Sequence, residues 1–553
     1  MKNYDVPVLI VGGSLVGMTM AVLLGNHGVK SLVVERHQGA AIHPRAALML
    51  QRSMEVFRSA GVEETMRTRS FEQFEPDGAI MAVETMAGEE LAWYMTRVND
   101  GVRDLSPSER IFVTQIAVEP VLKARADEQG AQALFGTELV DFTEDADGVT
   151  ATIRDRATQE ESTVRARYLV AADGPHSTIR NQLGISRSGH GVMSKSITIY
   201  FRADVEPLLR GRNLSVVMVV NQTFQGFFRI EKPYKSGFLA VHGLGDPQNP
   251  NSDIWTGLTD DACIELVRAG LGVPDLPVEI DNVMRWEATA EVADQLQAGR
   301  VFLVGDAAHE MPPYGGYGGN TGIHDAHNLA WKLAAVLDGK AGDGLLSSYD
   351  AERRPVAKFT VEQAYARYVT RAAPFLAAGG MDTPVPDANI DLGYRYRSSA
   401  VLSGADDDGA IQGDPREALG RPGSRAPHYL LTHGGDTVST LDLFRRNFVL
   451  FTGADGAAWT GAADAAARQL GVDLDTHSIG TGEFSDPDGA FADSYGITAT
   501  GAVLVRPDGF VAWRAETDAG ASAEILTEVL RAILDQPSGQ RTTSGAVSEP
   551  AAR

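Results

Sequence analysis

The chain has 553 residues, 43% of them hydrophobic, which is enough for two to four domains with cores of their own. A formal net charge of −24 argues against a nucleic-acid binder, whose phosphate contacts need basic patches, and against docking on an anionic membrane surface. One cysteine, Cys263, excludes a disulfide framework or a cysteine-based metal site within one chain.

The first element is "VPVLIVGGSLVGMTMAVLLGNHGVKSLVVERH". Val8 to Val11 reads as a buried strand, and its short apolar run leads into a turn rather than a signal peptide. Leu15, Met18, Val22 and Leu23 follow at helical spacing, Gly28 ends the helix, and Leu32 to Val34 form a second parallel strand. The turn Gly12-Gly13-Ser14-Leu15-Val16-Gly17 is the dinucleotide fingerprint with serine at the middle glycine. Glu35 lies 18 residues beyond Gly17, where a carboxylate meets an adenosine ribose; an acid there favours FAD or NAD over a 2′-phosphate. "HPRAALMLQRSMEVFRSAGV" follows, with Arg45 on a loop before a helix that carries Met49, Met54, Val56 and Phe57.

Two more strand–turn–helix islands occur. In "ARYLVAADGPHSTIRNQLGI", Tyr168 to Ala172 is a strand, Asp173-Gly174 a turn, and Ser177 to Leu183 a helix. In "GRVFLVGDAAHEMPPYGGYGGNTGIHDAHNLAWKLAAVLDG", Val301 to Val304 is a strand that ends at Asp306. The helix after it is expected to be capped by Asn320 or Thr321 and ended by Gly339. All three islands put small residues or acids at the carboxyl ends of strands, the ligand-binding edge of an open α/β sheet. The glycines before the last helix bring bare N–H groups to one place, an anion site.

Between the second and third islands the pattern alternates, as in "SITIYFRA", "LSVVMVVNQTFQGFFRI" and "SGFLAVHGLG", which predicts an antiparallel sheet. Tyr200, Met218, Phe224, Phe227 and Phe228 are candidates to wall an aromatic ligand beneath it, with Pro313 from the third island. Residues 376–415 are loop-rich and read as a connector, and "AVLVRPDGFVAWR" near the end reads as a hairpin with a Pro-Asp-Gly turn. The last stretch, 536–553, is polar and expected to be disordered.

With these motifs in hand, the chain resembles the FAD-dependent aromatic hydroxylases, the single-component class A flavoprotein monooxygenases, in the branch that tailors aromatic polyketides. The resemblance rests on "VGGSLVG", "VVER", "HPRA", "ARYLVAADGPHSTIR" and "GDAAHEMPPYGGYGGNTGIHDAHNLAWKLA", and covers roughly residues 1–375. It implies an α/β fold: a Rossmann-like FAD-binding domain (1–185 and 286–375) with an inserted antiparallel-sheet substrate domain (186–285). After the connector comes a unit (416–535) that resembles the family's thioredoxin-like C-terminal domain. That unit lacks Cys-x-x-Cys, so a structural or oligomerisation role is expected of it rather than a redox one.

The resemblance also implies roles. Gly12, Gly13, Ser14 and Gly17 line the pyrophosphate, and Glu35 and Arg36 hold the adenosine end. Arg45 contacts the flavin side, Gln115 of "TQIAVEPVLKARA" lies near the ribityl chain, and Asp173 shapes the flavin and NAD(P)H approach. Asp306 meets the ribityl and pyrophosphate region, Pro313 the ring face, and Gly318, Gly319 and Asn320 the ring's N1–O2 edge. Ser14 in place of glycine is expected to weaken FAD retention slightly.

The implied reaction consumes NADPH or NADH as a transient co-substrate, with no domain of its own for it, and O2. A flavin C4a-hydroperoxide then hydroxylates a polycyclic aromatic polyketide. Baeyer–Villiger insertion or oxygenative ring cleavage on the same scaffold, a simple-phenol hydroxylase and a drug-binding flavoprotein remain alternatives. No catalytic base is assigned: Arg45, Tyr314 and Tyr317 are candidates, as are His309 and His43. No metal, no nucleic acid and no membrane partner are expected, and the protein is expected to be a cytoplasmic monomer or homodimer.

Overall fold

A computed structural model describes residues 3–39, 48–243, 254–404 and 407–537. Arg45 and His43, and the tail from 538 on, lie outside the described residues.

The three islands are neighbours in one sheet. Strand Asn3–Val11 runs parallel to Ser31–Glu35 on one side and to Glu161–Ala171 on the other, and Val301–Leu303 continues the order beyond. Val34, Val11, Ala171 and Leu303 stand in one row across the four strands. The glycine turn after Val11, Glu35, Asp173 and Asp306 therefore leave the sheet at one edge. Val8 to Ile10, Leu32, Val33 and Leu169 are fully buried, as expected of parallel strands covered on both faces. Helix Leu15–Asn26 lies against helix Tyr317–Leu337 at glycine-only distance: a Cβ on Gly322 would fall 2.5 Å from a Val16 methyl.

Helix Tyr317–Leu337 starts three residues before the expected cap. Gly316, at φ +69°, occupies the N-cap in a left-handed conformation that a residue with a Cβ rarely adopts. Asn320 sits inside the first turn, and its side chain is spent elsewhere: it donates to Leu48 O and Gly316 O and accepts from Leu50 N.

Among the described residues a second sheet has eight strands, centred on the long strands Arg187–Arg202 and Glu279–Ala293. It extends beyond the expected range of 186–285. Ala79–Val83 pairs parallel with Leu214–Val220, Glu90–Met95 pairs with Ala79–Val83, and Glu279–Ala293 runs across the 285/286 boundary. The strands Ala79–Val83 and Glu90–Met95 carry no island motif, so only their long-range pairing reveals their sheet.

The two faces of this sheet have different partners. Ile197, Ile199, Phe201, Phe228, Leu239 and Val241 form a core with Cys263, Val267 and Leu271 of helix Asp260–Leu271. Phe224 belongs to this core as well. A Cβ on Gly270 would lie 2.7 Å from the Phe228 ring and 2.9 Å from the Phe224 ring. Two of the three phenylalanines expected in the pocket, Phe224 and Phe228, thus face the back of the sheet. Strand alternation is the cause: Phe227 and Phe228 are adjacent and point to opposite faces. Tyr200, Phe227, Phe238 and Met284 cluster on the front, and Met218 and Trp286 join Tyr314 and Tyr368 there.

The C-terminal unit has a sheet in the order Leu474–Ser478, Phe448–Thr452, Ala502–Val505, Val511–Ala515, with the first pair parallel and the rest antiparallel. Its hairpin is the expected one, and the turn reaches into the first unit. Within 376–415, expected as a connector, part is packed into this junction: Tyr394 and Tyr396 are each 2% exposed, and Tyr396 lies 4.1 Å from the Phe510 ring, centroid to centroid. Its loop-rich composition carries no periodicity that would reveal this contact.

Candidate active site

The dinucleotide cradle is shaped by glycines that admit no side chain. Gly12 adopts φ +107°, and a Cβ there would lie 2.1 Å from Ala172 O. A Cβ on Gly17 would lie 1.8 Å from Gly12 O. Gly13 N–H donates to Glu35 Oε2 at 2.7 Å, and the His37 backbone N–H donates to Glu35 Oε1 at 2.8 Å, so the turn and the acid are locked together. A carboxylate offers about four acceptor positions, which leaves Glu35 able to take a ribose hydroxyl as well. Arg36 is exposed beside it.

Ser14 is not merely a substitute for glycine. Its hydroxyl donates to Glu119 Oε1 and accepts from Gln115 Nε2, each at 2.6 Å, and Gln115 also donates to Glu119 at 2.6 Å. The serine thus fastens the turn to helix Gln115–Glu128. Glu119, one helical turn from Gln115, escaped the sequence reading, although the spacing places the two on one face.

At the second turn Asp173 Oδ2 accepts from Thr178 N at 2.9 Å, at the start of helix Thr178–Gln182, while its Oδ1 is buried without a partner. Arg180 donates to Ala307 O and Pro175 O, tying the second turn to the third. Asp306 is exposed on the single turn Gly305–Ala307, and Pro313 is exposed nearby in sequence. An orphaned carboxylate oxygen, an exposed acid, a side-chain-free turn and a helix N-terminus at Tyr317 all leave one sheet edge. That donor set fits a dinucleotide whose phosphates and ring need N–H groups and whose sugars need acceptors.

Behind this edge lies a buried ion cluster. Asp325 Oδ2 accepts from Gly305 N at 3.0 Å and contacts His309 Nε2 at 2.7 Å, while Arg353 Nε donates to Asp325 Oδ1 at 2.7 Å. His309, Asp325 and Arg353 side chains are fully buried. His309 is therefore an anchor of the Gly305 turn and not a base facing substrate. Asp325 and Arg353 escaped the sequence reading, since no local pattern pairs residues 28 apart.

The two tyrosines part company. Tyr317 donates to Asp387 Oδ1 at 2.6 Å, with the Arg367 guanidinium over its ring, and burial beside that carboxylate pushes its phenol well above the usual range. It packs with Leu50, Ala364 and Ile390, away from the second sheet. Tyr314 faces the front of that sheet, 5.5 Å from Tyr368 and 5.7 Å from His242 between ring centroids, and burial pushes its phenol up too. Neither phenol is suited to act as a base.

On the front face, Met218, Phe227, Met284 and Trp286 remain half-buried, an apolar surface left partly open. His242 lies among them, 5.8 Å from the Trp286 ring and 6.2 Å from Phe227. Alternation within Ser236–His242 could have placed it, since positions 238, 240 and 242 share a face.

The FAD binding domain family matches residues 5–364, and the aromatic-ring hydroxylase C-terminal family matches residues 420–537. The chain is 51% identical over 537 residues to a 4-methyl-5-nitrocatechol 5-monooxygenase of Burkholderia sp, covering 96% of this chain and 98% of that one. It is 39% identical to the tetracenomycin A2 monooxygenase-dioxygenase of Streptomyces glaucescens, covering 98% of each. A crystal structure of aklavinone-11 hydroxylase with FAD and aklavinone superimposes with a TM-score of 0.91 at 38% identity, over 97% of this chain and 100% of that one. The chain therefore belongs to the FAD-dependent aromatic-ring hydroxylases and is a flavin-dependent monooxygenase.

Proposed function

We propose that the enzyme consumes NADH or NADPH and O2 to hydroxylate a polycyclic aromatic polyketide carrying phenolic oxygens. The observation that carries the reading is the open apolar front face between the flavin edge and the second sheet. Tyr200, Phe227, Phe238 and Met284 lie on four adjacent strands. At about 4.8 Å per strand that face is wider than a single ring. The likeness to the aklavinone-bound hydroxylase over nearly the whole chain supports it. A second reading, a single-ring nitrocatechol, is favoured by the 51% identity to the Burkholderia enzyme.

Bound FAD, reduced by the nicotinamide, supplies the activated oxygen. The chain's own residues do the rest. The turn Gly12 to Gly17 presents N–H groups to the pyrophosphate, and Glu35 accepts from the ribose. Asp306 and Gln115 orient the ribityl chain. The N-terminus of helix Tyr317–Leu337, with Gly318 and Gly319 in its first turn, holds negative charge at the ring edge. The apolar front face excludes water from the reacting ring.

The test is NADH and NADPH oxidation by the FAD-loaded protein with aklavinone and with 4-methyl-5-nitrocatechol, followed by NMR of the products. Faster oxidation with a hydroxylated product from one class selects that class. An inserted ring oxygen or a cleaved ring would replace hydroxylation by the Baeyer–Villiger or cleavage alternative. Tight binding of either compound without oxygenated product would leave a drug-binding flavoprotein.

A further inference from the structure

The front face holds two buried polar atoms that have no protein partner. His242 Nε2 is one, and Gln225 Oε1 is the other. The two residues are direct cross-strand partners, Gln225 on strand Gln225–Glu231 and His242 on strand Ser236–His242. Directly opposite residues on one face bring their Cβ atoms to about 5 Å. The two side chains therefore leave facing positions of one sheet face, and the imidazole lies within an otherwise aromatic surface of Phe227, Trp286, Tyr314 and Tyr368.

A chain of hydroxyls leads to the imidazole from behind. Tyr368 donates to Ser194 Oγ at 3.0 Å, Ser194 Oγ lies 3.5 Å from Ser196 Oγ, and Ser196 Oγ lies 3.3 Å from His242 Nδ1. Ser194, Ser196 and Tyr368 are fully buried. Ser196 Oγ can donate to Nδ1, and that direction of the chain puts the imidazole proton on Nε2. Burial lowers the imidazole to about 4, so it stays neutral and, in that tautomer, Nε2 is its single N–H donor. A buried donor without an acceptor is costly, so an orphan of this kind calls for a ligand atom.

We propose that His242 and Gln225 form the recognition point for two adjacent oxygens on the substrate ring: Nε2–H donates to a phenolate or carbonyl oxygen, and Gln225 Oε1 accepts from the neighbouring hydroxyl. The substrate class is then an arene with vicinal or peri oxygens, a motif that catechols and hydroxyquinones share. The donor stabilises the phenolate, the form of the ring that gives up electrons most readily. The proposal rests on the reading that the substrate is a hydroxylated arene.

The test uses the FAD-loaded enzyme with 4-methyl-5-nitrocatechol, whose ionised form absorbs visible light, and with its two monomethyl ethers. Wild type is expected to ionise the bound catechol at lower pH than free solution does and to bind it more tightly than either ether. His242→Phe is expected to weaken binding roughly tenfold and to move the bound probe's ionisation up by about one pH unit, the loss of one charge-assisted hydrogen bond. His242→Gln, which keeps an N–H near the position of Nε2, is expected to restore part of both. Gln225→Leu is expected to erase the preference for the catechol over one of its ethers.

Unchanged binding and ionisation in His242→Phe with full FAD content would overturn the proposal, as would a loss that His242→Gln does not relieve. A wild-type enzyme that binds neither this probe nor aklavinone would bring down the hydroxyarene reading itself. A wild type that hydroxylates the probe while the His242 and Gln225 variants behave identically removes only the assignment made here.

Discussion

Arg506, beside the turn of the C-terminal hairpin, holds the Glu352 carboxylate of helix Gly344–Arg371 through two guanidinium nitrogens, at 2.6 and 3.0 Å, and both side chains are fully buried. Lys332 and Asn328, on helix Tyr317–Leu337, bond the same carboxylate at 2.7 and 2.6 Å. The charges around Glu352 hold its carboxyl far below the usual range, despite its burial. A second buried pair, Arg425 with Glu55 at 2.9 Å, spans the same junction. The C-terminal unit is thus joined to helix Tyr317–Leu337 by ions rather than by apolar packing alone.

Arg506→Met leaves Glu352 with Lys332 as its only ion-pair partner among the described residues. Removing one partner of a buried pair costs about 3–5 kcal/mol. Denaturant unfolding is expected to show a loss of that order, with FAD released earlier in the transition than in wild type. Adding Glu352→Gln to Arg506→Met is expected to recover part of the loss.

The cradle makes a separate prediction. Gly17→Ala would drive a methyl into Gly12 O, so the turn opens and the protein is expected to purify with little flavin absorbance. Asp306→Ala is expected to cut FAD retention without unfolding, because the acid is exposed on its turn. The ratio of flavin to protein absorbance checks both.

Tyr317→Phe removes the hydroxyl that donates to Asp387 and leaves that carboxylate with Arg367 at 2.8 Å. A stability loss of about 1–2 kcal/mol is expected. The pH profile of kcat is expected not to move, since the phenol is pushed up by burial and stays protonated. A profile that loses an ionisation in Tyr317→Phe would restore the tyrosine as a base.

Buried histidines set the acid side of stability. Burial lowers His242 to about 4 and His324 well below its ordinary value of 6.5. Between pH 6.5 and 4 the unfolded chain binds protons at these imidazoles and the folded protein does not. Stability is therefore expected to be complete above pH 6.5 and to fall as the pH drops, by up to about 1.4 kcal/mol per pH unit for each imidazole. Unfolding midpoints at pH 7.5, 6 and 5 and constant ionic strength check the slope, and His242→Gln is expected to lessen it.

What the sequence determined by itself is local. Left-handed turns need glycine, parallel strands buried on two faces read as unbroken apolar runs, and an acid after a strand marks the ligand edge. These signals span ten to forty residues each, and they placed Gly12, Gly17, Glu35, Asp173 and Asp306 on one edge before any coordinates. The tertiary structure decided whatever depends on partners far along the chain. It sent Phe227 forward and Phe228 back, because alternation puts neighbours on opposite faces and only packing decides which face is which. It turned Tyr317 to Asp387 and Tyr314 to His242, and it bound Asp325 to Arg353 and Arg506 to Glu352 across 28 and 154 residues. It also set His242 beside Gln225 without a protein partner for either buried atom. A buried charge or donor is tolerable only where its partner arrives in three dimensions, and no spacing in the chain announces that arrival.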